Sequence, residues 1–260
     1  MNRTNYGNWV PEKLLKKFWA ASAVLLAICL LVQYLLDFRV LTILVSIIFL
    51  LTLAMVIYMQ ICHHAFSFTG GGVMRDIHQL IVAKLDWTGE GKLLDIGCGS
   101  GALSIRCAKK YPRATITGID YWGVEWNYAK MQCEKNAQIE GVIKQISYRQ
   151  GDAASLPFKD GAFDAAVSNF VFHEVRTQPD KRMVVREALR VVKKGGSFVF
   201  QDLFNNQSLY GDIEEFIEEL RQEGMTDVHY EAHTERLPIV PWYCKTPWML
   251  SNMGIIYGRK

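Results

Sequence analysis

The segment Leu93-Leu94-Asp95-Ile96-Gly97-Cys98-Gly99-Ser100-Gly101-Ala102 limits the folds open to this chain more than any other. The run 92–96 is largely apolar and short enough for a central strand, and Leu103, Ile105, Cys107 and Ala108 can pack the following helix back onto a sheet. Glycines at the turn let the backbone take up positive φ and approach a ligand closely. The first N–H groups of the helix are unpaired donors that suit a carboxylate or a hydroxyl. Strand, glycine turn and helix in this order predict a nucleotide-type cofactor at the turn.

The glycine spacing narrows the ligand. Dinucleotide sites use G-x-G-x-x-G, the third glycine serving helix–strand packing beside a pyrophosphate. This chain has Gly97-x-Gly99-x-Gly101 preceded by Asp95. That pattern resembles motif I of the class I S-adenosylmethionine-dependent methyltransferases, whose ligand carries a methionine carboxylate and amine in place of a pyrophosphate. A structural tight turn accounts for many such glycine runs taken alone, so the rest of the chain has to agree.

Four further segments agree, in order. Residues 114–119 read as a strand ending in Asp120, about twenty residues past the turn, where doubly wound folds place an acid on the ribose hydroxyls. A helix over 124–137 and a third strand over 145–149 lead to Gly151-Asp152-Ala153-Ala154-Ser155-Leu156-Pro157-Phe158, similar to the family segment that meets the adenine. Residues 163–169 read as a fourth strand with Asn169 at its carboxyl edge, and residues 187–200 as a helix stopped at Gly195-Gly196 and followed by a fifth strand. The resemblance covers residues 91–203. It implies an α/β fold, a Rossmann-like class I methyltransferase sheet of seven strands, mostly parallel with an antiparallel last strand. It implies S-adenosyl-L-methionine as cofactor, held by Asp95, Gly97, Cys98, Gly99, Gly101, Asp120, Tyr121, Asp152, Ala153 and Asn169. The run from Ser168 to Val175 resembles the branch that includes quinone-biosynthesis and related small-molecule methyltransferases.

Two apolar runs precede this domain. Residues 18–36 carry only Ser22, Gln33 and Tyr34 as polar side chains, and residues 40–59 only Thr42, Ser46, Thr52 and Tyr58. Each run makes roughly 30 Å of helix, the thickness of a bilayer's hydrocarbon core. At about −0.3 to −0.6 kcal/mol for each Leu, Ile, Val or Phe, either gains several kcal/mol on insertion, which outweighs one glutamine. The runs are paired, separated by Asp37-Phe38-Arg39 and without an A-x-A-like cleavage site, which favours a transmembrane hairpin over a signal peptide. Two buried helices of a soluble bundle would need further apolar helices to cover them, and the remaining chain is committed to the sheet. Arg3, Lys13, Lys16 and Lys17 before the first span place the amino terminus and, after two spans, the catalytic domain in the cytoplasm, with Trp9, Trp19 and Tyr58 as interfacial aromatics. Residues 1–65 thus form a membrane segment and 66–260 a methyltransferase domain. Residues 66–72 would be a flexible joint, or a loop that leads the helix over 73–85 across the cofactor. The absence of an obvious targeting extension leans toward a bacterial cell membrane.

A net charge of +3, concentrated near the first span, argues against nucleic acid as a partner and is accounted for by anionic lipid headgroups. The six cysteines show no C-x-x-C pair and no metal-ligand spacing with histidine, so they read as reduced thiols and no metal is expected. His63-His64 at a membrane exit reads as interfacial rather than ligating.

Methyl transfer is an in-line displacement, in which the protein mostly aligns a nucleophile and excludes water. His173, just past the fourth strand, is the candidate catalytic base, against a plain packing role. Glu174 and Asp202 are secondary, and Asp202 suits a turn. The acidic run 212–220 has Ile213, Phe216, Ile217 and Leu220 on one helical face, so its charges form a solvated side. Residues 227–232 and 249–257 fit an antiparallel pair of sixth and seventh strands, and the aromatic connection through Trp242, Tyr243 and Trp248 can line a substrate mouth or rest on a membrane. The chain is expected to be a membrane-anchored methyltransferase acting on a small acceptor that its location makes lipophilic, such as a quinone precursor, a lipid or an apolar thiol. The alternatives are a non-catalytic cofactor-binding sensor or scaffold and, disfavoured by the glycine spacing, a nicotinamide oxidoreductase. Oligomeric state is not readable from these residues.

Overall fold

The computed structural model describes residues 3–35, 38–123, 130–225 and 227–260. Leu36 and Asp37, where the sequence places the end of the first apolar run and the start of the connection, and residues 124–129, where it predicts a helix start, lie outside the described residues. Two compact units emerge, Gly7–Met74 and Met1–Tyr6 with Arg75–Lys260.

The first unit is a pair of helices, α1 (Glu12–Leu35) and α2 (Arg39–Phe66). Both are long and apolar enough to cross a membrane, and only 17% and 6% of their most apolar stretches are buried, whereas a soluble core helix would be mostly covered. Their mutual contact uses small and polar groups: Cys29 Sγ lies 3.1 Å from Ser46 Oγ, and Trp19 Nε1 donates to Gln60 Oε1 at 3.4 Å. At the base, Asn8 Nδ2 donates to the His63 carbonyl at 2.8 Å, His63 Nδ1 lies 2.8 Å from the Val10 carbonyl, and Trp9 packs on Phe66. The glycines expected to make a flexible joint instead close a tight turn. Gly71 donates to the His64 carbonyl at 2.9 Å, and a Cβ on it would lie 2.6 Å from Ala65 Cα.

The second unit holds α3 (Val73–Lys84) from Arg75 on, β1 (Gly91–Ile96), α4 (Ala102–Lys110), β2 (Ala114–Asp120), α5 (Lys130–Ile139), β3 (Ile146–Gln150), β4 (Phe163–Asn169), α6 (Lys181–Arg190), β5 (Val192–Asp202), α7 (Gln207–Tyr210), α8 (Ile213–Gln222), β6 (Asp227–Ala232) and β7 (Gly254–Arg259). The strands form one sheet in the order β3-β2-β1-β4-β5-β7-β6. β1 pairs in parallel with both β2 and β4, so the chain winds outward in opposite directions from that junction, where open α/β sheets bind ligands outside their carboxyl ends. β7 pairs antiparallel with β5 and with β6, so it alone runs against the others.

Two boundaries differ from the sequence reading. The helix before β5 ends at Arg190, and Gly195-Gly196 lie inside β5, whose register with β4 shifts between Phe163 and Ala165. Val191 caps α6 and Val192, fully buried like it, begins the strand, while Gly195, at φ +75°, absorbs the irregularity and donates to the Lys260 carbonyl. β7 starts at Gly254, not near Met249, because residues 246–250 turn back on themselves through hydrogen bonds from Met249 to Thr246 and from Leu250 to Cys244.

One face of the sheet packs on α6 and α8 through Phe172, Val184, Val185, Leu189, Phe200, Phe216 and Leu220. The acidic helix α8 buries the four apolar residues expected of it. Its carboxylates do more than face water: Glu215 and Glu219 pair with Arg182, and Glu219 and Glu223 with Arg186.

The loop after β4 is held by one buried carboxylate. Asp202 at the end of β5 accepts from the Val171 and Phe172 amides at 2.9 and 2.8 Å and from the Leu203 amide at 2.6 Å, and its Oδ1 lies 2.7 Å from His173 Nδ1. His173 Nε2 is 3.4 Å from Glu174. Burial works against the charged imidazole, but the Asp202 charge and hydrogen bond, with Glu174, overcome it and raise the His173 pKa to about 10. Burial likewise opposes the Asp202 carboxylate, and His173 and the loop amides hold its pKa below the ordinary value. A raised histidine pKa stabilises the fold fully below its ordinary value of 6.5 and ceases to do so as pH rises through about 10. Removing one partner of such a buried pair typically costs about 3 kcal/mol. His173→Gln is therefore expected to lower unfolding free energy by about that amount at pH 7, and the wild type to lose stability between pH 8 and 10 while the variant does not. Denaturant titrations at these pH values check it; equal stability of the two proteins at pH 7 would contradict it.

Candidate functional site

The carboxyl ends of β1, β2, β3 and β4 are drawn together around the glycine turn. Gly97, Gly99 and Gly101 have φ of +69°, +54° and +80°, a conformation that side chains resist. Space is equally restrictive. A Cβ on Gly97 would lie 2.0 Å from Val171 Cγ2, and one on Gly101 2.5 Å from the Tyr148 hydroxyl. The Gly97 and Cys98 amides donate to the Ile119 carbonyl at 2.7 and 3.1 Å, tying the turn to the end of β2.

Asp95, on β1 just before the turn, is fully buried. Its Oδ2 accepts from the Ser104 hydroxyl on α4, while its Oδ1 has no partner. Burial raises its pKa to about 7, against the Ser104 hydrogen bonds and with the Asp120 charge adding to it. Asp120, at the end of β2, accepts from the Gly99 amide at 2.8 Å and from the Trp122 amide at 2.8 Å. Burial raises its pKa too, and these amides pull it back. The Tyr121 amide adds a third such contact, and the four lone-pair sites of a carboxylate leave room for a further donor. The Trp122 indole donates to the Gly99 carbonyl at 3.1 Å, so Trp122 fixes both Asp120 and the turn.

The remaining expected residues distribute unevenly. Asp152 and Ala153 follow Gly151, whose amide donates to the Asp120 carbonyl at 3.0 Å, and Asp152 Oδ1 accepts from the Ala154 amide at 2.8 Å. Asn169, at the end of β4, lies 3.2 Å through Nδ2 from His78 Nε2 of α3, and its buried Oδ1 is unpartnered. Burial, helped by the Arg106 charge, lowers the His78 pKa to about 3, so the ring is neutral at physiological pH. Tyr121 is 64% exposed, and its carbonyl accepts from Gln150. The Cys98 thiol is buried against Gly118, which leaves the Cys98 backbone facing the turn. Both nitrogens of His173 face carboxylates, as described above.

Sequence reading missed several residues of this edge. Ser104 carries a signal, since it sits on the first turn of the helix after the glycines. Trp122, His78 and Tyr148 carry none, because their approach depends on long-range packing. Asn136 of α5 also belongs here: its Nδ2 donates to the Ser100 carbonyl at 3.0 Å.

Residues 94–200 match the family model described as a methyltransferase domain. The chain is 36% identical over 112 residues to a demethylmenaquinone methyltransferase of Desulfitobacterium hafniense, covering 43% of this chain and 42% of that protein. It is 28% identical over 166 residues to a sterol 4-C-methyltransferase of Caenorhabditis elegans, covering 62% and 47%. It thus spans less than half the length of these curated relatives. Among solved structures it is similar to geranyl diphosphate C-methyltransferase of Streptomyces coelicolor, determined with S-adenosyl-L-homocysteine, at TM-score 0.56, 13% identity and coverage of 76% and 80%.

The cofactor such a domain implies is S-adenosylmethionine, and the residues present fit it. An unpartnered buried carboxylate oxygen on Asp95 suits an ammonium group, the positive-φ glycines of the turn carry no side chains of their own, and Asp120 retains acceptor capacity for a ribose hydroxyl. Residues 94–200 therefore match a methyltransferase domain, and the sheet that holds them has the Rossmann-like methyltransferase fold.

Proposed function

We propose that this chain is a membrane-anchored enzyme that transfers a methyl group from S-adenosylmethionine to a small, lipophilic or membrane-resident acceptor. The observation that carries the first half is the unpartnered Asp95 Oδ1 beside the turn of Gly97, Gly99 and Gly101, with Asp120 bonded across that turn. When bound, the cofactor supplies an electrophilic methyl group on a sulfonium. On this reading Asp95 holds the amine of the methionine end, Asp120 the ribose hydroxyls, and the 152–153 segment the adenine. The protein's contribution is then alignment and exclusion of water.

His173 serves here as a positioning residue. A histidine with a pKa of about 10 already carries its proton at pH 7, and both nitrogens face carboxylates, so it holds the loop of residues 170–173 rather than accepting a proton. An acceptor that ionises readily, or whose nucleophile is neutral, needs no protein base.

The anchor rests on α1 and α2, whose apolar faces are largely uncovered. With Arg3, Lys13, Lys16 and Lys17 at one end, the positive-inside rule puts that end in the cytoplasm. The lipophilic acceptor is supported by this anchor, by relatives named for sterol and demethylmenaquinone methylation, and by the exposed Trp242 and Trp248, 82% and 66% accessible, whose rings suit a bilayer interface.

Purified full-length protein given methyl-labelled S-adenosylmethionine and a membrane lipid extract should move label into the organic phase, and Asp120→Ala should abolish the transfer. Cofactor binding without transfer to lipid-extract or water-soluble acceptors would contradict the enzyme reading. A second expectation concerns pH. Asp95 is neutral below about pH 7 in the free protein and must ionise to meet an amine, so S-adenosylhomocysteine affinity should rise from pH 5.5 to 7.5, by up to about tenfold per pH unit at the acid end, and then level off. Calorimetric titrations across this range check it. A flat profile in the wild type, matching Asp95→Asn, would refute the pairing.

A further inference from the structure

Residues 3–6 belong to the same compact unit as the sheet, although the whole hairpin separates them from it in sequence. Their attachment point is Asn136, on α5 and fully buried. The Asn136 amide uses its full hydrogen-bonding capacity. Its Oδ1 accepts from the Asn5 backbone N–H at 2.9 Å and from Gln132 Nε2 at 3.1 Å. Its Nδ2 donates to the Asn5 carbonyl at 2.7 Å and to the Ser100 carbonyl at 3.0 Å. Asn136 therefore pairs with Asn5 as a neighbouring strand would, through one N–H and one C=O, and passes that restraint to the residue between Gly99 and Gly101. Ser100 closes the circuit, its hydroxyl donating to the Tyr6 carbonyl at 2.9 Å. The Tyr6 hydroxyl donates to Glu140 at 2.9 Å, which Lys109 of α4 also engages.

The consequence follows from the glycines. Three left-handed glycines make a turn with little intrinsic stiffness, since glycine loses more freedom on ordering than any other residue. The end of β2 ties the first part of the turn, through Ile119, Asp120 and Trp122, whereas Ser100 is held from the other side, by Asn136 and the Tyr6 carbonyl. We propose that residues 5 and 6, acting through Asn136 and Ser100, are positioning residues of the cofactor site, a clasp that pre-orders the glycine turn. This rests on the assignment of that turn to S-adenosylmethionine. It makes cofactor affinity depend on the chain before the first apolar helix, so the segment that leads into the anchor and the turn that holds the cofactor are ordered together.

The test uses the full chain in detergent or nanodiscs, with S-adenosylhomocysteine as the probe. Asn5→Pro removes the N–H that Asn136 accepts and touches no core residue, and Asn136→Asp removes both donations from Nδ2. Each should weaken binding about tenfold by calorimetry and speed amide hydrogen exchange at residues 97–101. Asp212→Ala, which deletes the N-cap of α8, serves as a control for instability alone: it should lower the melting temperature while leaving affinity within twofold. If the wild type binds and Asn5→Pro binds within twofold of it with unchanged exchange, the clasp is refuted even should Asn136→Asp fail to fold. If the wild type itself does not bind, the assignment of the turn to this cofactor falls first, and the clasp with it.

Discussion

The turn from Gly97 to Gly101 is where backbone sterics and function meet. Its left-handed glycines let β1 pass into α4 within a few residues and let Val171 and Tyr148, from the loops and strands on either side, close directly onto the backbone. That closeness draws the ends of β2, β3 and β4 into one edge, because the Ile119 carbonyl, the Asp120 carboxylate and the Gly151 amide are all satisfied only in this arrangement. Any side chain at Gly97 would collide with Val171 and push apart the junction between β1 and β4, the place where an open parallel sheet has room for a ligand.

Two fully buried carboxylates at this edge have opposite fates, and the difference divides structure from binding. Asp202 receives three backbone amides and an imidazolium, so it stays ionised and locks the loop after β4. Asp95 is met by Ser104 alone and keeps an oxygen without a partner, so burial dominates and its pKa rises to about 7. A buried polar atom left unpaired is costly in a finished fold, and the cofactor amine proposed to meet Asp95 Oδ1 would remove that cost. His173 shows the converse. It has the residue type and the chain position of a base, and the Asp202 and Glu174 carboxylates on either side of it raise its pKa to about 10.

What the sequence discloses here is set by how local each cause is. The β1 turn, Asp120 and β4 are readable because periodicity, glycine spacing and strand ends are short-range patterns. The end of α6 is not readable, because Gly195-Gly196 carry the same local signature whether they cap a helix or relax a strand register, and only the pairing of Val192 with Phe163 decides between them. The pairing of His173 with Asp202 spans 29 residues, and that of Asn5 with Asn136 spans 131, so neither leaves a mark in any window of sequence. The hairpin was legible as two apolar runs, although the tight packing of Gly70 and Gly71 on the end of α2 was not, since glycine runs serve flexible and close-packed turns alike.

Asp95, the glycine turn and Asp120 are proposed to form one cofactor cradle. A crystal structure of the full chain grown with S-adenosylhomocysteine tests it directly. The ligand amine should lie within about 3 Å of Asp95 Oδ1, the carboxyl end against the turn of residues 97–101, and the ribose hydroxyls on Asp120. Ligand bound elsewhere on the sheet, or an amine that leaves Asp95 Oδ1 unpaired, would contradict it.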